Sequence, residues 1–310
     1  MKILGIGNAI VDVICKVEEE FISQNNLSKG NMKLIFDEYE FKKLLSNLKI
    51  EKTISGGSVA NSIVGLSQQG NKVGFIGKIS NDELGKKYEI GLEKENVNYM
   101  YEKKEEDLPT GTCLILITPD SERTMCTYLG IAGKINENDV NIEAVKKSEL
   151  IFLEGYLWDE GEPKKAFDKA INNSNKVAMS LSDKFCVDRH KPHFLNLVKN
   201  KLDITFANEE EIKSLINVKN FNEVIEFGKE NKKHLIITRG DKGALSINGD
   251  IITEVGIKKD LNIVDLTGAG DLFASGYLHG YLNNYSEQEC LENGTEMSSK
   301  VIQQIGARLS

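Results

Sequence analysis

The stretch LIFLEGYLWDEGEPKKAFDKAINNSNKVAMSLS, residues 150–182, places two short apolar runs, LIFLEG (150–155) and KVAMSLS (176–182), on either side of a helical pattern. Continuous apolar runs of strand length are what a strand buried on both faces requires, and a helix between two of them is the crossover of a parallel pair. Downstream, LDITFAN (202–208) and HLIITRG (234–240) repeat the theme. Upstream, KVGFIGK (72–78) precedes a helix in NDELGKKYEIGLEKENV, where Leu84, Tyr88 and Leu92 recur every fourth residue. This alternation, from about residue 50 onward, predicts an α/β fold with a mostly parallel sheet covered by helices on both faces. Two further helices are expected over 269–283 and 286–307.

Two regions break the rhythm. Residues 9–37 and 98–128 carry β patterns with no helix between them, as in VNYMYEK, GTCLILIT and RTMCTYL. They predict a small antiparallel sheet standing off the main one as a lid or an interface. The four prolines are dispersed and no linker or repeat divides the chain, so residues 1–310 read as a single domain.

Composition narrows the function classes. The net charge of −8 disfavours nucleic acid or an anionic membrane as the main partner, while a small anionic ligand needs only a local positive potential. Cys15, Cys113, Cys126, Cys186 and Cys290 are scattered, odd in number and free of C-x-x-C pairs. That pattern points to reduced thiols in a cytoplasm, not to a disulfide framework or a zinc site. The opening MKILGIGNAIVDVIC is broken by Asn8 and Asp12, unlike a secretory signal, and CLILI is far short of the ~20 residues of a membrane span.

Two common nucleotide motifs are missing. GIGNAI has Ile10 where a dinucleotide fingerprint has its third glycine. The Gly-Lys pairs at 77, 85, 133 and 228 are followed by Ile, Lys, Ile and Glu, so there is no Walker A loop. DLTGAGD (265–271) takes their place. A glycine-rich turn entering a helix presents unpaired amides and a dipole that favour an anion. Asp271, in the first turn, reads either as a favourable acidic residue there or as a base facing a hydroxyl that attacks a phosphate held by the amides. The run Thr267-Gly268-Ala269-Gly270 costs helix stability that a simple start does not require, which favours the second reading.

In SGGSVANSIVGLSQQGNKVGFIG (55–77), Gly56-Gly57 leads into a helix that carries Asn61 one turn in. An amide donates to and accepts from hydroxyls, though a glycine loop and a helix packed by Ile63, Val64 and Leu66 is the plainer alternative. Asn8 and Asp12, four apart in a strand context, share one face; a vicinal diol satisfies both, as does solvent at a strand end. Asn208 and Glu211 in ANEEEI have capping-box spacing. TRGDKG (238–243) has the composition of a hairpin turn. DRHKPH (188–193) holds a His-x-x-His pair without a third ligand and reads as a solvated loop; EKKEED (102–107) reads as a solvated turn.

Taken in order, Gly-Asn…Asp near the start, GGSVANS, and DLTGAGD near the end resemble the PfkB, or ribokinase-like, carbohydrate kinase family over nearly the whole chain. The stretches GIGNAIVDVICKVEEEFISQNNL, LPTGTCLILIT, and LEGYLWD followed by SLSDKF are most similar to its adenosine-kinase branch. The resemblance implies a ribokinase-like α/β core with the 9–37 and 98–128 segments as a β lid over the sugar. It implies Asp271 as base, Gly268, Ala269 and Gly270 as anion hole, and Arg123, in SERTMCTY, steadying the transferring phosphate. Asp12, Gly57 and Asn61 would hold ribose hydroxyls, with Asn8 and Gly56 nearby, and Leu34, Tyr156 and Leu157 would wall the base. Asn208 and Glu211 would influence magnesium and phosphate, while Thr238, Gly240, Gly243 and Thr267 would lie on the ATP side. Leu266 stands where the family more often has Thr or Asn, which leaves a monovalent-cation site in that loop open. The implied activity is ATP-dependent phosphorylation of a ribonucleoside 5′-hydroxyl, with adenosine leading and a free-sugar kinase as runner-up. A non-catalytic nucleoside or sugar sensor is the reading from another class. The expected protein is a cytoplasmic monomer or homodimer.

Overall fold

The computed structural model describes residues 1–120 and 122–309. Along the chain the strands are β1 (Ile3–Ile6), β2 (Ile10–Lys16), β3 (Met32–Ile35), β4 (Ile50–Gly56), β5 (Val73–Ile76), β6 (Asn98–Tyr99) and β7 (Gly111–Ile117). They continue with β8 (Arg123–Tyr128), β9 (Leu150–Glu154), β10 (Val177–Ser180), β11 (Ile204–Asn208), β12 (His234–Thr238), β13 (Ala244–Asn248) and β14 (Ile251–Val255). The helices are α1 (Glu19–Gln24), α2 (Glu38–Ser46), α3 (Ser58–Gln68), α4 (Glu83–Lys94), α5 (Ile142–Lys147) and α6 (Glu162–Asn173). After them come α7 (Lys184–Asn200), α8 (Glu209–Ile216), α9 (Phe221–Glu230), α10 (Ala269–Leu282) and α11 (Glu287–Val301).

Nine strands form the main sheet in the order β14-β13-β12-β11-β10-β9-β1-β5-β6, parallel from β12 through β6 and closed at the other edge by two antiparallel hairpin strands. The period-two alternation of each strand feeds two cores. Ile3 and Phe152 pack on the side of α3 and α10, while Leu4, Ile6, Ile151 and Leu153 pack on the side of α5 to α9. A side-chain Cβ at Gly5 would lie 2.5 and 2.7 Å from Ile63 and Val59, and one at Gly65 would lie 2.5 Å from Ser275 Oγ. α3 is therefore seated directly on β1 and α10 directly on α3, which fixes where both helices begin.

The second sheet runs β3-β8-β7-β2-β4. It is mixed, with β2–β7 and β3–β8 parallel and β2–β4 and β7–β8 antiparallel. An all-antiparallel sheet was expected from the sequence, without helices; α1 lies inside 9–37 and, with α2, carries the chain away between strands so that parallel pairing becomes possible. β4 belongs to this sheet although it falls outside both expected segments, and β6, inside 98–128, joins the main sheet. One face is core: Val11, Val13, Leu114, Leu116 and Cys126 are buried there. The other presents Ile10, Asp12, Cys113, Ile115, Met125 and Thr127 to a cavity.

Three local expectations are corrected. Asn8 lies in the connection between β1 and β2, not on one strand with Asp12. DRHKPH is inside α7, not in a solvated loop; the helix kinks at His190, two residues before Pro192, which has no amide to donate. His190 is buried with its ring 4.6 Å from that of Trp158. The last helix stops at Val301, and residues 302–309 fold back against the start of α10. In EKKEED, Glu106 is drawn inward by Lys78 at 3.2 Å, whose ammonium also meets buried Asp139 at 3.1 Å. Among the described residues no helix is long and apolar enough to cross a membrane.

Candidate active site

A cavity of about 880 Å³ lies between the second sheet and the carboxyl ends of β9, β10, β11 and β12, where α/β sheets place their ligands. Two helix starts form its floor. α3 begins at Gly57, whose φ of 101° and the 2.2 Å separation of a would-be Cβ from the Asn8 carbonyl exclude any other residue. Having no side chain, Gly57 cannot cap the helix. Glu154, from the end of β9, does so instead: Oε2 accepts from Val59 N at 2.8 Å and Oε1 from Asn8 N at 2.8 Å. Glu154 is 1% exposed, and burial pushes its carboxyl up to about 7 in spite of those two bonds.

α10 begins at Gly268, in the left-handed region at φ 78°. Ala269 N donates to the Leu266 carbonyl and Leu272 N to that of Gly268, which leaves the Gly270 and Asp271 amides of the first turn without a partner among the described residues. A Cβ at Gly270 would meet no atom within 4 Å, so a side chain there would stand in the open cavity. Asp271 follows. Its Oδ1 accepts from Ser58 Oγ at 2.6 Å and its Oδ2 from Asn61 Nδ2 at 2.9 Å. The surrounding protein raises its carboxyl above the usual range, opposed by these two donors and by the charge of Arg308.

Asp12 lies across the cavity floor from Asp271. Loss of water raises it to about 7, with Arg308 pulling it down and Asp271 adding repulsion. Gly56 does not line the cavity; a Cβ there would sit 2.5 Å from an Asp12 oxygen, so glycine makes room for that carboxylate. Buried Asn8 lines the cavity, and its Oδ1 has no partner among the described residues. Gly57 and Asn61 line the same floor, and Leu34, Tyr156 and Leu157 its walls.

Asn208, Glu211, Thr238 and Thr267 line the far end of the cavity. Glu211 is taken up as a cap of α8: its two oxygens accept from Asn208 N at 3.0 Å and Nδ2 at 2.6 Å, and burial raises it to about 7. Gly240 and Gly243 lie beyond the cavity in the turn between β12 and β13, where a Cβ at Gly243 would sit 2.0 Å from the Val255 carbonyl. Arg123 is also outside the lining; it pairs with Asp265, which accepts in addition from Thr267 N and Oγ1 and from Gly306 N. Among the described residues no three His, Cys, Asp or Glu side chains cluster as a metal cage.

Sequence reasoning missed Glu154, Ser58 and Arg308. A lone carboxylate ending the apolar run LIFLE was a usable signal for the first. Ser58 is an ordinary first-turn serine, and the Arg308 side chain meets groups that lie far along the chain from it.

This floor, a carboxylate beside an open helix start, matches the family resemblance of the motifs. The sequence profile of the pfkB family carbohydrate kinases covers residues 23–310, and the chain belongs to that family. It is a kinase with an alcohol group as acceptor, on a ribokinase-like α/β fold. Among solved structures it is similar to an adenosine kinase from Sinorhizobium meliloti, 34% identical over 99% of this chain and 95% of that one, with a TM-score of 0.90. A probable sugar kinase from Rhizobium etli is 35% identical over 99% and 94%, with a TM-score of 0.88. The adenosine kinase of Dictyostelium discoideum is 28% identical over 99% of this chain and 96% of its own.

Proposed function

We propose that the protein transfers the γ-phosphoryl group of ATP to the 5′-hydroxyl of a ribonucleoside, with adenosine the leading acceptor. The observation that carries this reading is the Asp271 carboxylate, fixed by Ser58 and Asn61 beside the open amides of α10. Asp271 takes the proton of the attacking hydroxyl, and the free amides of Gly270 and Asp271 hold the oxygens of the transferring group. Asp12 and the orphaned Oδ1 of Asn8 receive the ribose hydroxyls, for which a buried acceptor without a donor is suited. Past this polar floor the cavity continues between Leu34, Ile115 and Met125 on one side and Tyr156 and Leu157 on the other. Such walls suit a nucleobase and would leave the hydroxyls of a bare sugar unpaired.

Thr238, Asn208 and Thr267 would hold the nucleotide, and Arg123 would bring positive charge to the edge of the cradle on exchanging Asp265 for the transferring phosphate. Magnesium fits as an ion carried by the phosphates and water: no carboxylate cage exists among the described residues, and Glu211, with both oxygens engaged, acts only from a distance. When bound it offsets phosphate charge that an acidic protein does not neutralise alone. The second sheet acts as a lid, excluding water from the transfer. The five buried, unpaired cysteines support a cytoplasmic setting.

The test is ATP consumption by the purified chain with adenosine, inosine, ribose or fructose. Adenosine should give the highest kcat/KM. A preference for ribose or fructose would overturn the acceptor and favour the sugar-kinase reading. No turnover with any acceptor would leave a sensor.

A further inference from the structure

Residues 302–309 turn back from α11 onto the DLTGAGD loop. Val264 N donates to the Ile302 carbonyl at 2.8 Å, Gly306 N to Asp265 Oδ2 at 2.8 Å, and Gln68 Nε2 to the Leu309 carbonyl at 3.1 Å. This path brings Arg308 beneath α3, where its Nε donates to Asn61 Oδ1 at 2.9 Å. A guanidinium has donors only, so Asn61 must turn its oxygen toward Arg308 and its Nδ2 away from it. On that far side Nδ2 donates to Asp271 Oδ2 at 2.9 Å. The orientation of the amide that holds Asp271 is therefore set by Arg308.

The charged and titratable groups around the guanidinium come from three elements and a loop: Asp12 on β2, Tyr88 on α4, Glu95 just after it, and Asp271 on α10. Its Nη2 is buried and has no partner among the described residues. Arg308 is thus not a saturated structural tie, since an unpaired buried donor costs stability, and the carboxylates close to it offset that cost. Asp271 in turn is faced by Ser58 and Asn61 from α3, by Arg308, and by the negative or titratable groups Asp12, Glu154 and Tyr156.

Building on the phosphoryl-transfer reading above, we propose that Arg308 is a positioning residue of that reaction. It locks the Asn61 amide so that the amide aims Asp271, and its charge keeps the Asp271 carboxylate anionic and ready to take a proton. It does this from behind the cavity floor, which it does not line.

The experiment uses the full chain with R308Q, which keeps a donor and loses the charge, and R308K, which keeps the charge and loses the fork. The titration of Asp271 is followed by NMR on protein labelled with carboxyl-13C aspartate, the signal being assigned with D271N. In R308Q the midpoint should rise by about one pH unit. Its kcat should fall roughly tenfold or more while the KM for ATP stays within about twofold. In R308K the midpoint should move less than half as far. An unmoved midpoint or an unchanged kcat in folded R308Q overturns the proposal, as does an equal shift in both variants. Should R308Q not fold, R308K decides by itself: a midpoint close to wild type with a reduced kcat supports the relay, and a wild-type kcat overturns it. The titration arm is independent of the acceptor, so a finding that ribose is preferred to adenosine would remove the nucleoside reading without touching this one.

Discussion

α3 and α10 open on the same local device. Each begins at a glycine with positive φ, Gly57 at 101° and Gly268 at 78°, and neither glycine offers a capping side chain. At α3 the fold supplies the acceptor itself: the buried Glu154 side chain accepts from Val59 N. At α10 no carboxylate among the described residues caps the first turn; Asp271 turns its own oxygens toward Ser58 and Asn61, and the space above Gly270 is open. On the proposed reading, the start of α10 is a phosphate hole: a helix start left for its ligand to cap. Glycine spacing alone does not separate the two cases, because both stretches contain the small residues that the geometry needs.

The strongest way to break this contrast is Asp271→Asn. Kinase turnover should fall by roughly 10²–10⁴-fold with little change in acceptor KM, the scale of losing a general base. Steady-state kinetics on the purified variant measure it, and near-normal turnover would take Asp271 out of the chemistry.

Gly270→Ala sharpens the contrast from the other side. The added methyl meets no protein atom, and Gly270 is not in the positive-φ region. Thermal stability should stay level or rise by up to about 1 kcal/mol, as for Gly-to-Ala within a helix. Turnover should drop by about 10²-fold as the methyl fills the phosphate seat. A variant that lost stability and kept its activity would place the anion elsewhere.

Glu154→Gln should do the reverse. An amide cannot accept from both Asn8 N and Val59 N with its two polar atoms, so one buried N–H goes unpaired and stability falls by about 1–3 kcal/mol. The loss of turnover should be smaller than for Asp271→Asn. Denaturant unfolding and kinetics on the same sample read both effects.

The smallest effect is a pH dependence of the unliganded protein. Asp12, Glu154 and Glu211, raised to about 7 in the folded state, hold protons that the unfolded chain releases near 4. Stability therefore falls as pH climbs toward and through 7, and the buried thiols, also raised, add the same sign above it. His190 and His279, lowered by burial, oppose this trend only below about 6.5. The melting temperature should drop by a few degrees between pH 7 and 8.5. A rise over that interval would contradict the burial of these carboxyls.

The parallel core was legible at β5, β9, β10, β11 and β12, which carry mostly apolar runs, but not at β1, which lies between β9 and β5 and falls before the expected alternation begins; the helix of α10 was legible because its glycine turn and apolar face adjoin. The second sheet was harder. Its strands alternate faces cleanly, as Asp12 does between Val11 and Val13, but which strand neighbours which depends on connections through α1 and α2 that have no pairing signal. At the site, Asp271, Asn61, Asp12 and Asn8 stood out as polar residues in apolar or glycine-rich surroundings. Glu154 carried the same kind of signal, a carboxylate closing an apolar run, and was passed over; Arg308 carried none, because its side chain acts on Asn61, 247 residues away in sequence. Gly240, Gly243 and Arg123 lie off the cavity wall: the two glycines serve the hairpin that joins β12 to β13, and Arg123 is engaged by Asp265.

The most direct test is a crystal structure of the chain with adenosine and a non-hydrolysable ATP analogue. The 5′-hydroxyl should lie within hydrogen-bonding distance of the Asp271 carboxylate, with the terminal phosphate against the amides of Gly270 and Asp271. A terminal phosphate bound away from the start of α10, or a hydroxyl out of reach of Asp271, would contradict the account.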